Sequence, residues 1–239
     1  MKICLCFIGL QRTISRTYQN IEINIIDTTN EFTKVFVTWK NENIDIFLSL
    51  YPDTIIHRVD EVSQGDEEFK KWKDGLQMHI SWRRTYEPDF ALFRYYQQIY
   101  LWKKASEFLV SYKNEFDLFM RLRSDSIFLN NPIHEYYNMM LESELSIFFP
   151  SEPRQSILKE GEGCPDQFFI GKPESVLKAL QIIDFLHKYK ITYIEKHIMW
   201  YPVDTLEENI IQPESSLYYY LKGEGVDIKY LPTVINILR

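Results

Sequence analysis

The run KICLCFI at residues 2–8 constrains the fold more than any other segment of this chain. From Ile3 onward it is apolar at odd and even positions alike, so a strand built from it must be covered on both faces. That is the pattern of a central strand in a mostly parallel sheet, not of a strand with one wet face. Gly9 closes the run, and LQRTISRTYQNIEINIID follows at residues 10–27. Its Ile14, Tyr18, Ile21 and Ile25 recur every three or four residues, which predicts a helix with one buried stripe. The chain therefore opens strand, turn, helix.

The alternation continues. FTKVFVTWK (32–40) is β-branched and aromatic and predicts a second strand; NENIDIFLSL (41–50) predicts a short helix or helical turn; TIIHRVDEV (54–62) predicts a third strand. Residues 64–90 are polar, with Trp72 and Trp82 scattered among them, and predict a loop with helical pieces. Residues 91–113 form the clearest helix, with Phe93, Tyr96, Tyr100, Leu101, Ala105, Phe108 and Leu109 on its inner face. FDLFMRLRSDSIFL (116–129) predicts a buried strand ending in a polar cluster, ELSIFFPS (144–151) another strand, and DQFFIGK (166–172) a short strand or turn after a loop at 152–165. Two helices with Pro-Glu at their start follow at 173–190 and 213–225, a favoured place for proline, and VDIKYLPTVINILR closes with a strand. Strands alternating with helices predict an α/β fold with a central, mostly parallel mixed sheet flanked by helices. The length suits one core, and no repeat or low-complexity tract divides it, so residues 1–239 are expected to form a single domain.

Composition narrows the function. With 27 Lys and Arg against 34 Asp and Glu, the formal charge is −7, a poor basis for binding nucleic acid, which needs a surplus of cations against phosphate. An anionic ligand must then be met locally, by a metal ion or by a few Arg side chains. The 16 Tyr and 16 Phe serve either a packed core or the walls of a sugar or base pocket. Cys4 and Cys6 point to the same face of the first strand and suit packing. With Cys164 they make an odd count without paired spacing, which argues against a disulfide framework or a zinc site and fits a reducing compartment. No apolar stretch reaches membrane-spanning length, and the N-terminal run is expected to be a strand, not a signal peptide.

The chemistry concentrates in one place. FDLFMRL delivers Arg123-Ser124-Asp125-Ser126, then the chain turns apolar again. In open α/β sheets ligands sit beyond the carboxyl ends of strands. A carboxylate there either caps a turn or holds Mg²⁺ or Mn²⁺, whose remaining positions take water and phosphate oxygens. No GxxxxGK[ST], GxGxxG or GxSxG stretch is present, which disfavours a nucleotidyltransferase with a glycine-rich phosphate loop or a serine hydrolase.

Three segments in series, KICLCFIGLQRT, FDLFMRLRSDSIF and CPDQFFIGKPESV, resemble a family of small GT-A-type glycosyltransferases found in polysaccharide and lipopolysaccharide gene clusters and in some large DNA viruses. The likeness in order and spacing spans Met1 to about Tyr220, while residues 64–90 fall outside it. It implies a GT-A-like, Rossmann-related domain that moves a sugar from a nucleotide-sugar donor to a glycan or lipid-linked glycan acceptor, with Mn²⁺ or Mg²⁺ on the donor diphosphate. Asp125 would be the metal-binding carboxylate of an Arg-x-Asp version of the DxD motif; Arg123 stands where the first Asp would be and cannot bind a cation. Arg123, Ser124 and Ser126 would join it around the donor. Arg12 would contact the diphosphate, with Gly9, Leu10 and Thr13 lining the nucleotide; the alternative for Arg12 is a solvated position at a helix end. Asp166 would be the general base of an inverting transfer, or else the cap of a turn. Gln167 and Glu214 would face the sugar or acceptor. Of His57, His79, His134, His187 and His197, the last is the candidate second metal ligand. The setting implied is the cytoplasm of a bacterium or an infected cell, with peripheral membrane contact left open. The missing first Asp supports an alternative: a nucleotide-sugar or glycan-binding module of the same fold with little or no turnover.

Overall fold

The computed structural model describes residues 1–76, 79–80, 88–143, 145–150, 164–186, 210–211 and 213–238. KICLCFI is strand β1 (Lys2–Ile8), followed by α1 (Ile14–Ile25), β2 (Glu31–Trp39), α2 (Asp45–Leu50), β3 (Ile55–Val59) and α3 (Glu67–Leu76). Then come β4 (His79–Ile80), α4 (Pro88–Leu109), β5 (Leu118–Leu122), β6 (Ser126–Phe128), α5 (Tyr137–Glu142), β7 (Ser146–Pro150) and β8 (Phe168–Gly171). The chain continues with α6 (Pro173–Leu180), β9 (Ile210–Ile211), α7 (Pro213–Gly223), β10 (Asp227–Leu231) and β11 (Ile235–Ile237).

Seven strands make one sheet in the order β10-β7-β8-β5-β1-β2-β3. All neighbours run parallel except β8, which is antiparallel to both β5 and β7. As the unbroken apolar run demands, β1 sits inside the sheet and is buried on both faces. Ile3, Leu5 and Phe7 join α1, α2 and α5 on one side, while Cys4, Cys6 and Ile8 join α4, α6 and α7 on the other. Both layers are aromatic. Phe47 of α2 stacks on Phe36 at 4.3 Å between ring centres and meets Phe7 edge-on at 4.9 Å. The surplus of rings is thus used in the core, at least in this layer.

Several expectations are refined. The segment 116–129 is not one strand: β5 ends at Leu122, the polar cluster forms a turn, and β6 leaves the main sheet to pair antiparallel with β11. The closing strand is likewise divided, at Pro232, which cannot donate to a ladder. The second Pro-Glu helix forms as expected, but α6 stops at Leu180 and a 3₁₀ turn, Ile182–Asp184, follows. On α1 the buried stripe runs through Thr17 as well as Ile14, Ile21 and Ile25, with Tyr18 half-buried beside it. Within 64–90 the helical pieces are α3, where Phe69 and Trp72 pack against Tyr96 of α4, and the start of α4 itself at Pro88; Trp82 lies outside the described residues.

The connectivity fixes where a ligand can bind. From β1 the chain moves to β2 and β3 on one side, while β5 and all later strands of the sheet lie on the other. The order reverses between β1 and β5, and at such a switch point the segments leaving the two strands diverge and open a crevice. The register sets Phe7 opposite Leu122, so the turns after β1 and β5 leave the sheet side by side.

Candidate active site at the switch point

The two turns are stitched together by residues expected from the sequence. Gly9, at φ 127°, takes a backbone conformation that suits glycine, and its N–H donates to Val37 O at 3.0 Å. Arg12 also has positive φ, 37°, unusual for a side chain of its size and a mark of a backbone held by its surroundings. Those surroundings are visible. The Gln11 N–H donates to Glu42 Oε1 at 3.1 Å, and Gln11 Oε1 accepts from the Phe47 N–H at 3.2 Å. The buried Ser124 hydroxyl donates to the Leu10 carbonyl, and the Thr17 hydroxyl of α1 donates to the Ser124 carbonyl at 2.6 Å. From the other end of the chain, the Leu238 N–H donates to the Asp125 carbonyl at 2.8 Å.

At the centre lies Asp125, with only 2% of its side chain exposed. Arg123 grips it with a fork: Nε donates to Oδ1 at 2.9 Å and Nη2 to Oδ2 at 2.8 Å. Arg12 Nη1 adds a contact to Oδ2 at 3.3 Å. Such two-point, charge-assisted bonds are strong and set orientation. Burial pushes the Asp125 carboxyl up, but the Arg123 fork, with Arg12 behind it, outweighs this and holds it below the ordinary carboxylate range. Burial likewise pulls Arg123 down, and Asp125 and Asp166 outweigh it and raise it. On the far side of Arg123, its Nη1 stands 4.0 Å from Asp166 Oδ2, which also accepts from Gln98 Nε2 of α4 at 2.6 Å. The Arg123 N–H donates to the Gln167 carbonyl at 3.1 Å. Arg123 therefore bridges two carboxylates.

Beneath them Arg121 is 1% exposed, on the β5 face toward α4, over the rings of Trp102 at 4.8 Å and Phe169 at 5.8 Å. Its Nε and Nη1 have no hydrogen-bond partner among the described residues. Burial pulls its pKa down to about 9, against the pull of Asp166 and Asp125, so it stays a cation at neutral pH.

The sequence-predicted residues thus fall into four groups. Gly9, Leu10, Arg12, Arg123, Ser124, Asp125, Asp166 and Gln167 are brought together. Thr13 starts α1 and Ser126 starts β6; each keeps a buried hydroxyl without a partner among the described residues, as does Gln167 Oε1. His197 and His187 lie outside the described residues, as do the side chains of Glu214 and His79. His57 is placed elsewhere, stacked on Phe108 at 4.5 Å between ring centres. Sequence reasoning missed Arg121 and Gln98. A lone cation in the otherwise apolar FDLFMRL was a signal for the first. Nothing local marks the second, one of two Gln on a long helix.

The cation expected from the resemblance does not fit this arrangement. Both Asp125 oxygens are taken by guanidinium groups, and a divalent ion would have to displace the fork and sit among like charges. Among the described residues no group of three or more His, Cys, Asp or Glu side chains could hold a metal ion.

No protein-family model and no curated protein matches the chain. Among solved structures it is similar to the apo form of mouse xyloside xylosyltransferase 1, at 9% identity over 97% of this chain and 85% of that one, with a TM-score of 0.46. It is similar also to an active-site mutant of LgtC, at 9% identity over 96% and 72% of the two chains with a TM-score of 0.48. A third likeness is to the galactosyltransferase LgtC in complex with donor and acceptor sugar analogs, at 10% identity over 96% and 73% with a TM-score of 0.45. No helix among the described residues is long and apolar enough to cross a membrane.

Proposed function

We propose that this chain is a glycosyltransferase of the GT-A kind, moving a sugar from a nucleotide-sugar donor to a hydroxyl of a glycan or lipid-linked glycan. The observation that carries the reading is the Arg12–Asp125–Arg123 cluster at the switch point between β1 and β5. It supplies local positive charge in a chain whose overall charge is −7, at the end of the sheet where α/β folds bind nucleotides. The three segments that resemble the family are also the three that meet here.

In the transfer, the acceptor oxygen bonds to the anomeric carbon while the bond from that carbon to the diphosphate oxygen breaks, its electron pair leaving with the nucleotide. In an inverting reaction the acceptor proton passes to a carboxylate, and Asp166 is the residue proposed for it. Gln98 fixes one of its oxygens and Arg123 stands next to it, so the carboxylate is oriented before substrate arrives. Ser124 and Thr17 hold the two turns at a fixed spacing, which gives the donor a preformed seat.

Calorimetric titration with UDP-, GDP-, dTDP- and CMP-sugars tests the reading. One nucleotide class is expected to bind, and donor turnover is expected to fall by at least about a hundredfold in Asp166→Asn with donor affinity retained. Binding without any turnover, with or without added glycans, would favour the binding-module alternative. Absence of binding to every nucleotide-sugar would remove the transferase reading.

A further inference from the structure

We propose that the diphosphate of the donor is neutralised by Arg12 and Arg123 in place of a divalent cation, with Asp125 serving as the buried post that aligns the two guanidinium groups. This deepens the transferase reading and rests on it.

A metal-binding carboxylate must show a free oxygen lone pair to the crevice. Asp125 is buried, and guanidinium groups hold three of its roughly four lone-pair sites: Oδ1 accepts from Arg123 Nε at 2.9 Å, while Oδ2 accepts from Arg123 Nη2 at 2.8 Å and from Arg12 Nη1 at 3.3 Å. The guanidinium groups are the accessible part of the cluster. The Arg12 side chain is 47% exposed and that of Arg123 23%, against 2% for Asp125. A guanidinium has several N–H donors in a planar fork and here commits only part of them to Asp125, so each keeps N–H groups for phosphate oxygens. Its permanent charge needs no deprotonated ligand and no dehydration of a metal ion.

The surrounding charge agrees. Three cations, Arg12, Arg121 and Arg123, stand around Asp125 and Asp166, while a third nearby carboxylate, Glu42, is held on the Gln11 N–H behind the turn. Arg121 cannot reach solvent, and its Nε and Nη1 are unpartnered among the described residues. An anion above it would lower the energy of that buried cation, whereas a divalent cation would raise it. The positive φ of Arg12 belongs to the same design: the Gln11 contacts to Glu42 and Phe47 hold the turn that points residue 12 at Asp125.

Titration of the whole chain with UDP, GDP and dTDP, and with the monophosphate CMP, in EDTA and again with Mn²⁺, decides the matter; binding of CMP alone would overturn the proposal. The nucleoside diphosphate that binds is expected to do so with the same Kd, within about twofold, in both conditions. Arg12→Met should weaken it at least about tenfold. Arg12 is the safe variant because it is half exposed and its loss leaves the Arg123 fork on Asp125, so the chain should still fold with only a small drop in thermal midpoint. Binding that strengthens tenfold or more with Mn²⁺ would overturn this proposal and leave the transferase reading standing, as would binding that Arg12→Met does not change. If no nucleotide binds in either condition, the transferase reading falls and this proposal with it.

Discussion

Asp125 is the residue on which the site turns, and its charge is worth more to the protein than its position on a strand end suggests. A buried carboxylate without partners would titrate upward; with the Arg123 fork and Arg12 it titrates below the ordinary range. Since its folded pKa is depressed, its contribution to stability is present above the unfolded value of about 4 and is lost as pH falls through the folded value. Asp125→Asn should therefore destabilise the chain by about 3 kcal/mol at neutral pH, because Arg123 loses its partner while still largely buried. The gap between variant and wild type should close below about pH 4. Thermal melts of both proteins across that range check this; a gap that stays constant into acid would mean the ion pair contributes nothing to folding. The sequence showed that Asp125 ends a strand and that Arg123 precedes it by two. It did not show that the two close on each other, since residues at that spacing in an extended strand lie on one face but need a turn to form a fork.

At the scale of the element, β8 is the informative case. FFIG reads as a buried strand from its composition, but its direction is a property of its neighbours. It runs antiparallel between β5 and β7 and so brings Asp166 and Gln167, which precede it, to the end of the sheet where β5 finishes. A parallel strand would have placed them at the opposite edge. Its close approach to β7 depends on Gly171, where a Cβ would stand 2.6 Å from the Ser146 carbonyl oxygen. Because the obstacle is backbone, Gly171→Ala is expected to cost about 1–3 kcal/mol, read as a lower denaturation midpoint. Since the strain would bear on the strand that carries Asp166, turnover should fall as well. An unchanged midpoint would mean the two strands separate more easily than their packing suggests. The split of 116–129 into β5 and β6 was partly legible, because a polar cluster interrupts two apolar stretches. The pairing of β6 with β11 was not, because it joins segments about a hundred residues apart.

For the molecule as a whole, the sheet divides the core into two layers, and β1 contributes to both. Cys4 and Cys6 lie in the layer beneath α4 and are free and fully buried; burial raises the Cys4 thiol to about 12, and burial with the neighbouring Cys4 pushes the Cys6 thiol well above its ordinary value. Neither should react with a thiol reagent until the central strand is exposed, so their modification rate should match that of global unfolding and rise with denaturant accordingly. Faster labelling would show that β1 opens locally, which a strand paired on both sides and covered on both faces should not do.

The sequence by itself determined the elements. Continuous apolar runs, helical periodicity, proline at helix starts and glycine at turns are local signals. They placed β1, α1, β2, β3, α4, β7 and the starts of α6 and α7 and predicted a mostly parallel sheet. It also offered most of the residues that meet at the candidate site, Arg121 and Gln98 excepted, because the chemistry of Arg, Asp and Ser at a strand end is legible without coordinates. Only the tertiary structure decided which groups meet. Arg12 and Asp125 are 113 residues apart and Gln98 and Asp166 are 68 apart, yet both pairs are bonded in the fold. Periodicity tells which face of an element is buried, but a charge is satisfied by whatever other elements bring within about 3 Å of it. That is why the sequence offered Asp125 to a metal ion and the structure gave it to Arg123.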